Sequence, residues 1–261
     1  MFSNNLFKDQ VVLVTGGRSG IGYNIAESFL KCGAIVYIAS RKEDKLIAAK
    51  DALSNFGEVH AKACDIRNTD EIDALIESIK SNGHSLDILI NNAGGQFLST
   101  AEHISDKGWQ AVVNNNLNGT WYMTQRIAKA FFIPNNKGVI VNIIINIFKG
   151  FPGMAHSAAA RAGVDSLTKT LAIEWSKHNI RINAVAPGSI QSSGLDNYPP
   201  DFVAQLKDLV PLKKLGTTQD VADLSLFLSS PGAGFITGET IYIDGGQRLT
   251  GGLFELFNKG S

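Results

Sequence analysis

Val11-Val12-Leu13-Val14-Thr15-Gly16-Gly17-Arg18-Ser19-Gly20-Ile21-Gly22 runs from a continuously apolar segment into three spaced glycines, and then into an amphipathic stretch that reaches Cys32. A β-branched run without polar alternation reads as a strand buried on both faces, which belongs in a parallel sheet covered by helices. Glycines at 16, 20 and 22 allow a tight turn, close approach of backbone to a pyrophosphate, and close helix–strand packing. The helix that follows aims its free N–H groups and positive dipole end at phosphates. Strand, loop and helix agree on a dinucleotide site, with Thr15, Gly16, Arg18, Ser19, Gly20, Ile21 and Gly22 as its first contacts.

Working outward, the same unit repeats. Strands are expected at Ala34–Ala39, Val59–Cys64, Asp87–Asn91, Gly138–Ile145, Ile180–Ala186 and Thr240–Asp244. Helices are expected at Lys42–Phe56, Thr69–Asn82, Trp109–Phe131, Met154–Lys177 and Gln219–Ser229. The alternation predicts an α/β fold with a doubly wound, central parallel sheet and helices on both faces. No repeat, low-complexity tract or linker divides residues 1–261, so one domain is expected. Residues 187–211 form a long irregular loop, the usual form of a lid or binding loop. Its apolar members Leu195, Tyr198, Phe202, Val203 and Leu206 are candidates to line an apolar substrate.

The composition of the 261 residues excludes several classes. Apolar residues are 44% and charged residues 18%, with 24 basic against 24 acidic side chains. That excludes disorder and offers no electrostatic footprint for nucleic acid or an anionic membrane. The longest apolar run, Val139–Phe148, is far too short to span a bilayer. The first ten residues have no apolar signal segment, and Lys259-Gly260-Ser261 is not a peroxisomal address, so a cytoplasmic protein is expected. Cys32 and Cys64 stand apart and read as buried thiols. His60, His84, His103 and His178 show no ligand spacing, so no metal is expected. His156 and Ser157 are consecutive on a helix, point apart, and are not read as a pair.

Ser40-Arg41-Lys42 follows the second strand, where an NAD site usually offers a carboxylate to the ribose. A guanidinium there suits a 2′-phosphate through forked, charge-assisted donors, and Arg18 is placed to close on the same group. NADP(H) is therefore the expected cofactor.

With these residues in view, the chain resembles the short-chain dehydrogenase/reductase family over nearly its whole length. Asn91-Asn92-Ala93-Gly94 looks like the family's adenine-pocket motif, and Asp65-Ile66 like its adenine-contacting pair. Asn116 matches its active-site asparagine, Pro187-Gly188 with Ile190 just beyond matches the segment flanking the nicotinamide, and Ile243-Asp244-Gly245-Gly246 looks like its last strand and turn. The resemblance implies a Rossmann-type domain and a homotetramer.

The departure lies in the family's Tyr-x-x-x-Lys. Those positions align with Ser157 and Arg161, and the upstream serine falls on Ile144 or Ile145. A serine hydroxyl is a poor general acid and Arg161 cannot relay protons, so carbonyl reduction should be slow. Reduction of a carbon–carbon double bond conjugated to a thioester instead needs donors aimed at an enolate oxygen. Ser157 and Asn116 are the expected donors, with Arg161 adding positive field. The segments Gly94–Ser99, Ala101–Ser105 and His156–Val164 look most like the peroxisomal type of trans-2-enoyl-CoA reductase. That likeness implies an acyl-CoA substrate and makes Gln96, Phe97, Tyr198 and Phe202 candidate substrate contacts. Lys149 is a candidate contact to the CoA phosphates, with a plain surface lysine as the competing reading. NADPH-dependent reduction of trans-2-enoyl-CoA is the leading expectation. A carbonyl or dienoyl-CoA reductase, and a catalytically silent NADP-binding sensor, remain as alternatives.

Overall fold

In the computed structural model, which describes residues 2–195, 203 and 205–250, the sheet grows outward from β1 (Val11–Thr15), every residue of which is buried. The strands β2 (Ile35–Ser40), β3 (Val59–Ala63), β4 (Ile88–Asn91), β5 (Gly138–Ile143), β6 (Ile180–Pro187) and β9 (Thr240–Ile243) complete it. The order is β3-β2-β1-β4-β5-β6-β9, and all pairings are parallel. Chain direction across the sheet reverses between β1 and β4. In open α/β sheets, ligands bind at that reversal, beyond the carboxyl ends of the strands.

Alternation along β1 divides the core. Val12 and Val14 face α1 (Gly20–Lys31), α2 (Glu43–Leu53) and α7 (Thr218–Ser229), packing with Ile25, Phe29, Leu46, Val221 and Leu226. Val11 and Leu13 face α3 (Thr69–Ser81) and α5 (Gly119–Ile127), packing with Ile72, Leu75, Met123 and Ile127. Period-two side-chain direction in one strand thus feeds two separate apolar layers. The expected architecture is the observed one. No helix among the described residues is long and apolar enough to cross a membrane.

Several expected boundaries move. The strand expected to reach Ile145 ends at Ile143; Ile144 N–H still donates to Val185 O at 2.8 Å, and Ile144 and Ile145 line the cavity beyond the carboxyl end of β5. The helix expected from Trp109 starts earlier, as α4 (Asp106–Val113), because the Ser105 hydroxyl accepts from Gly108 N–H at 3.1 Å and caps it. It runs into α5 through a π turn at Asn114–Asn118 and ends in another at Ala128–Phe132. The long loop is not wholly irregular: β7 (Ile190–Gln191) pairs with β8 (Gly216–Thr217). Tyr198 and Phe202 lie outside the described residues.

A buried polar relay ties the layers under the site. Asn91 Nδ2 donates to Thr124 Oγ1 at 2.8 Å and to Asn142 Oδ1 at 2.9 Å, and Asn142 Nδ2 donates to Thr168 Oγ1 at 2.9 Å. Asn142→Ala strips partners from two buried groups, so it should cost about 2 kcal/mol of stability by urea unfolding. An unchanged midpoint would show that water replaces the lost partners.

Candidate active site

Gly16 turns the chain out of β1 at φ +69°, and a Cβ there would lie 2.9 Å from Asn92 Nδ2 and 3.0 Å from Ala93 Cα. The Thr15 hydroxyl locks this crossing by accepting from Asn92 N–H and Ala93 N–H, each at 3.0 Å. Gly22 packs beneath the same asparagine. Ser19 makes no side-chain cap to α1, so the helix N-terminus keeps its N–H groups for a ligand. Thr15 and Gly22 therefore build the cradle from behind, while Arg18, Ser19, Gly20 and Ile21 line it.

The cradle opens on a cavity of about 380 Å³ that also gathers Ser40, Arg41, Asp65, Ile66, Ala93 and Gly94. Arg18, Arg41 and Lys42 all lie on its wall. The Asp65 carboxylate is occupied: Arg67 donates to it through Nε at 2.9 Å and Nη2 at 2.5 Å, and this holds its pKa below the usual carboxylate value. A dinucleotide fits this wall on two observations. Backbone replaces side chain where the loop crosses, and a buried cation waits at the far end.

That cation is Arg161, on α6 (Ala155–Glu174). It is buried, its Nε has no partner, and among the described residues no carboxylate pairs with it. Desolvation lowers its pKa from 12.5 to about 10, so it remains cationic at neutral pH. Its guanidinium lies so close to Gly94 that a Cβ there would sit 2.1 Å from Nη2 and 2.6 Å from Asn116 Oδ1.

The donor set differs from the sequence expectation. Asn116 is not a free donor: its Nδ2 gives both hydrogens away, to Gly95 O at 2.7 Å and Val112 O at 2.9 Å, and its Oδ1 accepts from Gly95 N–H. It positions the Gly94-Gly95 backbone, and it occurs in the π turn because the widened helix lets its side chain reach back. Ser157 is fully buried and lines neither cavity; its Oγ donates to Gln96 Oε1 at 2.6 Å. Gln96, which lines both cavities, stands between Ser157 and the open space. His156 Nδ1 accepts from Ser157 N–H at 2.7 Å, so no Ser–His hydroxyl pair forms, as the helix spacing predicts.

A second cavity, of about 540 Å³, continues from the first past Gly94, Gly95 and Gln96. Ile144, Ile145, Phe151, Met154, Leu195 and Leu206 make it largely apolar, and Pro187, Gly188 and Ile190 form its floor. No hydroxyl stands at Ile144 or Ile145. Phe97 does not line this cavity; it packs edge-on against His156 with ring centroids 4.3 Å apart. Val203 also lies outside it. Lys149 does line it, and its ammonium donates to the Thr250 carbonyl.

A family model described as enoyl-(acyl carrier protein) reductase matches residues 16–248. The crystal structure of a short chain dehydrogenase from Bacillus anthracis superposes with a TM-score of 0.86 at 42% identity, covering 94% of this chain and 99% of that one. The chain belongs to the short-chain dehydrogenase/reductase family. Among curated relatives, a probable 2,4-dienoyl-CoA reductase (2E-enoyl-CoA-producing) of Bacillus subtilis is 39% identical over 92% of this chain and 97% of that protein. A peroxisomal 2,4-dienoyl-CoA reductase (3E-enoyl-CoA-producing) of Rattus norvegicus is 35% identical over 96% and 87%. As a short-chain dehydrogenase/reductase, the protein is an oxidoreductase that takes a nicotinamide dinucleotide.

Sequence reading missed Met154, Gln247 and Arg248 on the wall of the larger cavity of this short-chain dehydrogenase/reductase. The only available signal was the Asp244-Gly245-Gly246 turn, which brings Gln247 under Ser189 and Arg248 onto Asp244. It also missed a convergence of histidines. Spacing alone showed no ligand set, yet Glu58, His60 and His84 place their ligand atoms within 4.8 Å of one another.

Proposed function

We propose that the protein is an NADPH-dependent reductase of acyl-CoA thioesters whose double bond is conjugated to the carbonyl. The observation that carries this reading is Ser157-x-x-x-Arg161 behind Gln96, an arrangement of donors and positive field without a tuned phenolic acid. The bound dinucleotide supplies the hydride. This chain's residues must then hold the negative charge that moves onto the thioester oxygen. Ser157 fixes the oxygen end of the Gln96 amide, which holds this side chain on the wall of both cavities. Arg161, desolvated and paired with no carboxylate among the described residues, adds field that water does not screen. Lys149, which donates to Thr250 O, and Arg248, which pairs with Asp244, are the cations on this cavity's wall for CoA phosphates.

Two substrates fit this chemistry. The names of the relatives support a 2,4-dienoyl-CoA, and the degenerate catalytic motif equally supports a trans-2-enoyl-CoA. A dienolate protonated at its α-carbon gives the 3-ene and at its γ-carbon the 2-ene, so product analysis reports where the proton enters. NADPH oxidation should be measured with 2,4-hexadienoyl-CoA, crotonyl-CoA and a 3-ketoacyl-CoA. The conjugated esters should react and the ketone should lag far behind. NADPH binding without turnover on any of them would favour a silent sensor.

Cofactor choice has its own test. Arg41→Asp should weaken NADPH binding by at least about tenfold and spare NADH, because it exchanges a phosphate partner for a like charge. Equal affinity of the unmutated protein for both dinucleotides would sink the NADPH assignment. The family likeness also supports a homotetramer, which light scattering checks.

A further inference from the structure

At the sheet edge opposite β9, Glu58 immediately precedes β3 and His60 is its second residue, while His84 follows α3. His60 Nε2 lies 2.8 Å and His84 Nε2 3.9 Å from the same atom, Glu58 Oε1. The two rings are held, not merely adjacent. Tyr37, paired with His60 in the β2–β3 register, stacks on its imidazole with centroids 4.6 Å apart and planes at 16°. The Tyr37 hydroxyl meets His84 Nδ1 at 2.8 Å and accepts from Asn82 Nδ2 at 2.9 Å. Tyr37 itself is buried.

We propose that Glu58, His60 and His84 form a binding site for a divalent cation of the zinc class. Two imidazole nitrogens and one carboxylate oxygen are a zinc-type donor set, unlike the all-oxygen shells of magnesium or calcium. Metal–ligand bonds of 2.0–2.1 Å at the tetrahedral angle place donors about 3.3 Å apart. The observed 2.8 and 3.9 Å to Glu58 bracket that value and all three donor atoms lie within 4.8 Å of one another, so rotations of three partly exposed side chains close the shell. The Tyr37 hydroxyl on His84 Nδ1 orients the ring and leaves Nε2 to face the metal, the usual task of an outer-shell partner. The fourth position opens to water beside the exposed Glu58 side chain. None of the three lines either cavity, so the metal would clamp β3 to the segment after α3 and leave catalysis alone.

The test uses the full-length, tag-free protein, stripped with a chelator and then given zinc sulfate alone. Zinc at a hundredfold excess over its dissociation constant should raise the Tm by about 5 °C. Cobalt should give the intense visible absorption of a four-coordinate site. Both signals should fall at least tenfold in zinc or cobalt affinity in His60→Gln and His84→Gln, and persist in His103→Gln and His178→Gln. Glu58→Gln keeps the size of an exposed side chain, so it weakens zinc without threatening the fold if a histidine variant fails to fold. No Tm shift, or a shift that survives Glu58→Gln and His60→Gln, overturns the site and leaves a hydrogen-bonded cluster only.

Discussion

Arg161→Met is expected to lower kcat/KM on the conjugated thioester by about 10²-fold or more while making the protein more stable. Holding the charged guanidinium in the fold, with its pKa near 10 against an ordinary 12.5, costs the native state on the order of 3 kcal/mol. The sign follows from proton binding: between those two values the unfolded chain holds more protons, so stability rises with pH across the window. Methionine removes a buried charge that has no carboxylate partner among the described residues and leaves an apolar chain of similar reach. The change should raise the Tm by roughly 6–12 °C, given roughly 2–4 °C per kcal/mol for a domain of this size. The activity loss reflects the removal of positive field from a dry site where charge develops. A protein that gains stability and keeps its turnover would show that Arg161 plays no part in the chemistry.

Gln96→Glu is expected to have an effect of similar size. It keeps the shape of the side chain but puts a negative charge on the wall where an enolate forms, so turnover should fall about 10²-fold or more. Ser157→Ala should fall only about tenfold, because Ser157 is fully buried and acts by holding Gln96. The ordering of the two variants is the measurement. If Ser157→Ala were the more damaging, the serine hydroxyl itself would be the group that meets substrate.

Much of this fold is readable along the chain because it depends on local period. Unbroken apolar runs mark strands covered on both faces, and the glycine spacing after β1 marks a phosphate turn whatever the remote context. Boundaries are less readable where capping or a partner strand decides them. Gly138–Ile145 reads as one strand in sequence, but the strand ends at Ile143, and Ile144 and Ile145 line the cavity beyond it. The π turns of the long helix have no period of their own, and only the Asn116 contact with Gly95 makes their use visible.

The sequence alone determined the repeating β-α order and the glycine turn after β1, since each rests on residue type at short, fixed spacing. Tertiary structure decided which side chains reach the cavities. Asn116 and Ser157 look like free donors in the sequence, but Gly95 and Val112 take up the hydrogens of Asn116, and Gln96, 61 residues away, takes up that of Ser157. The same long-range packing puts Gln96 at the front of the site and moves Phe97 out of it. It also brings Glu58, His60 and His84 together, because β2 pairs with β3 while α3 returns the chain to the same edge. Hydrogen-bond satisfaction and convergence in space are properties of the packed chain, and no local pattern encodes them.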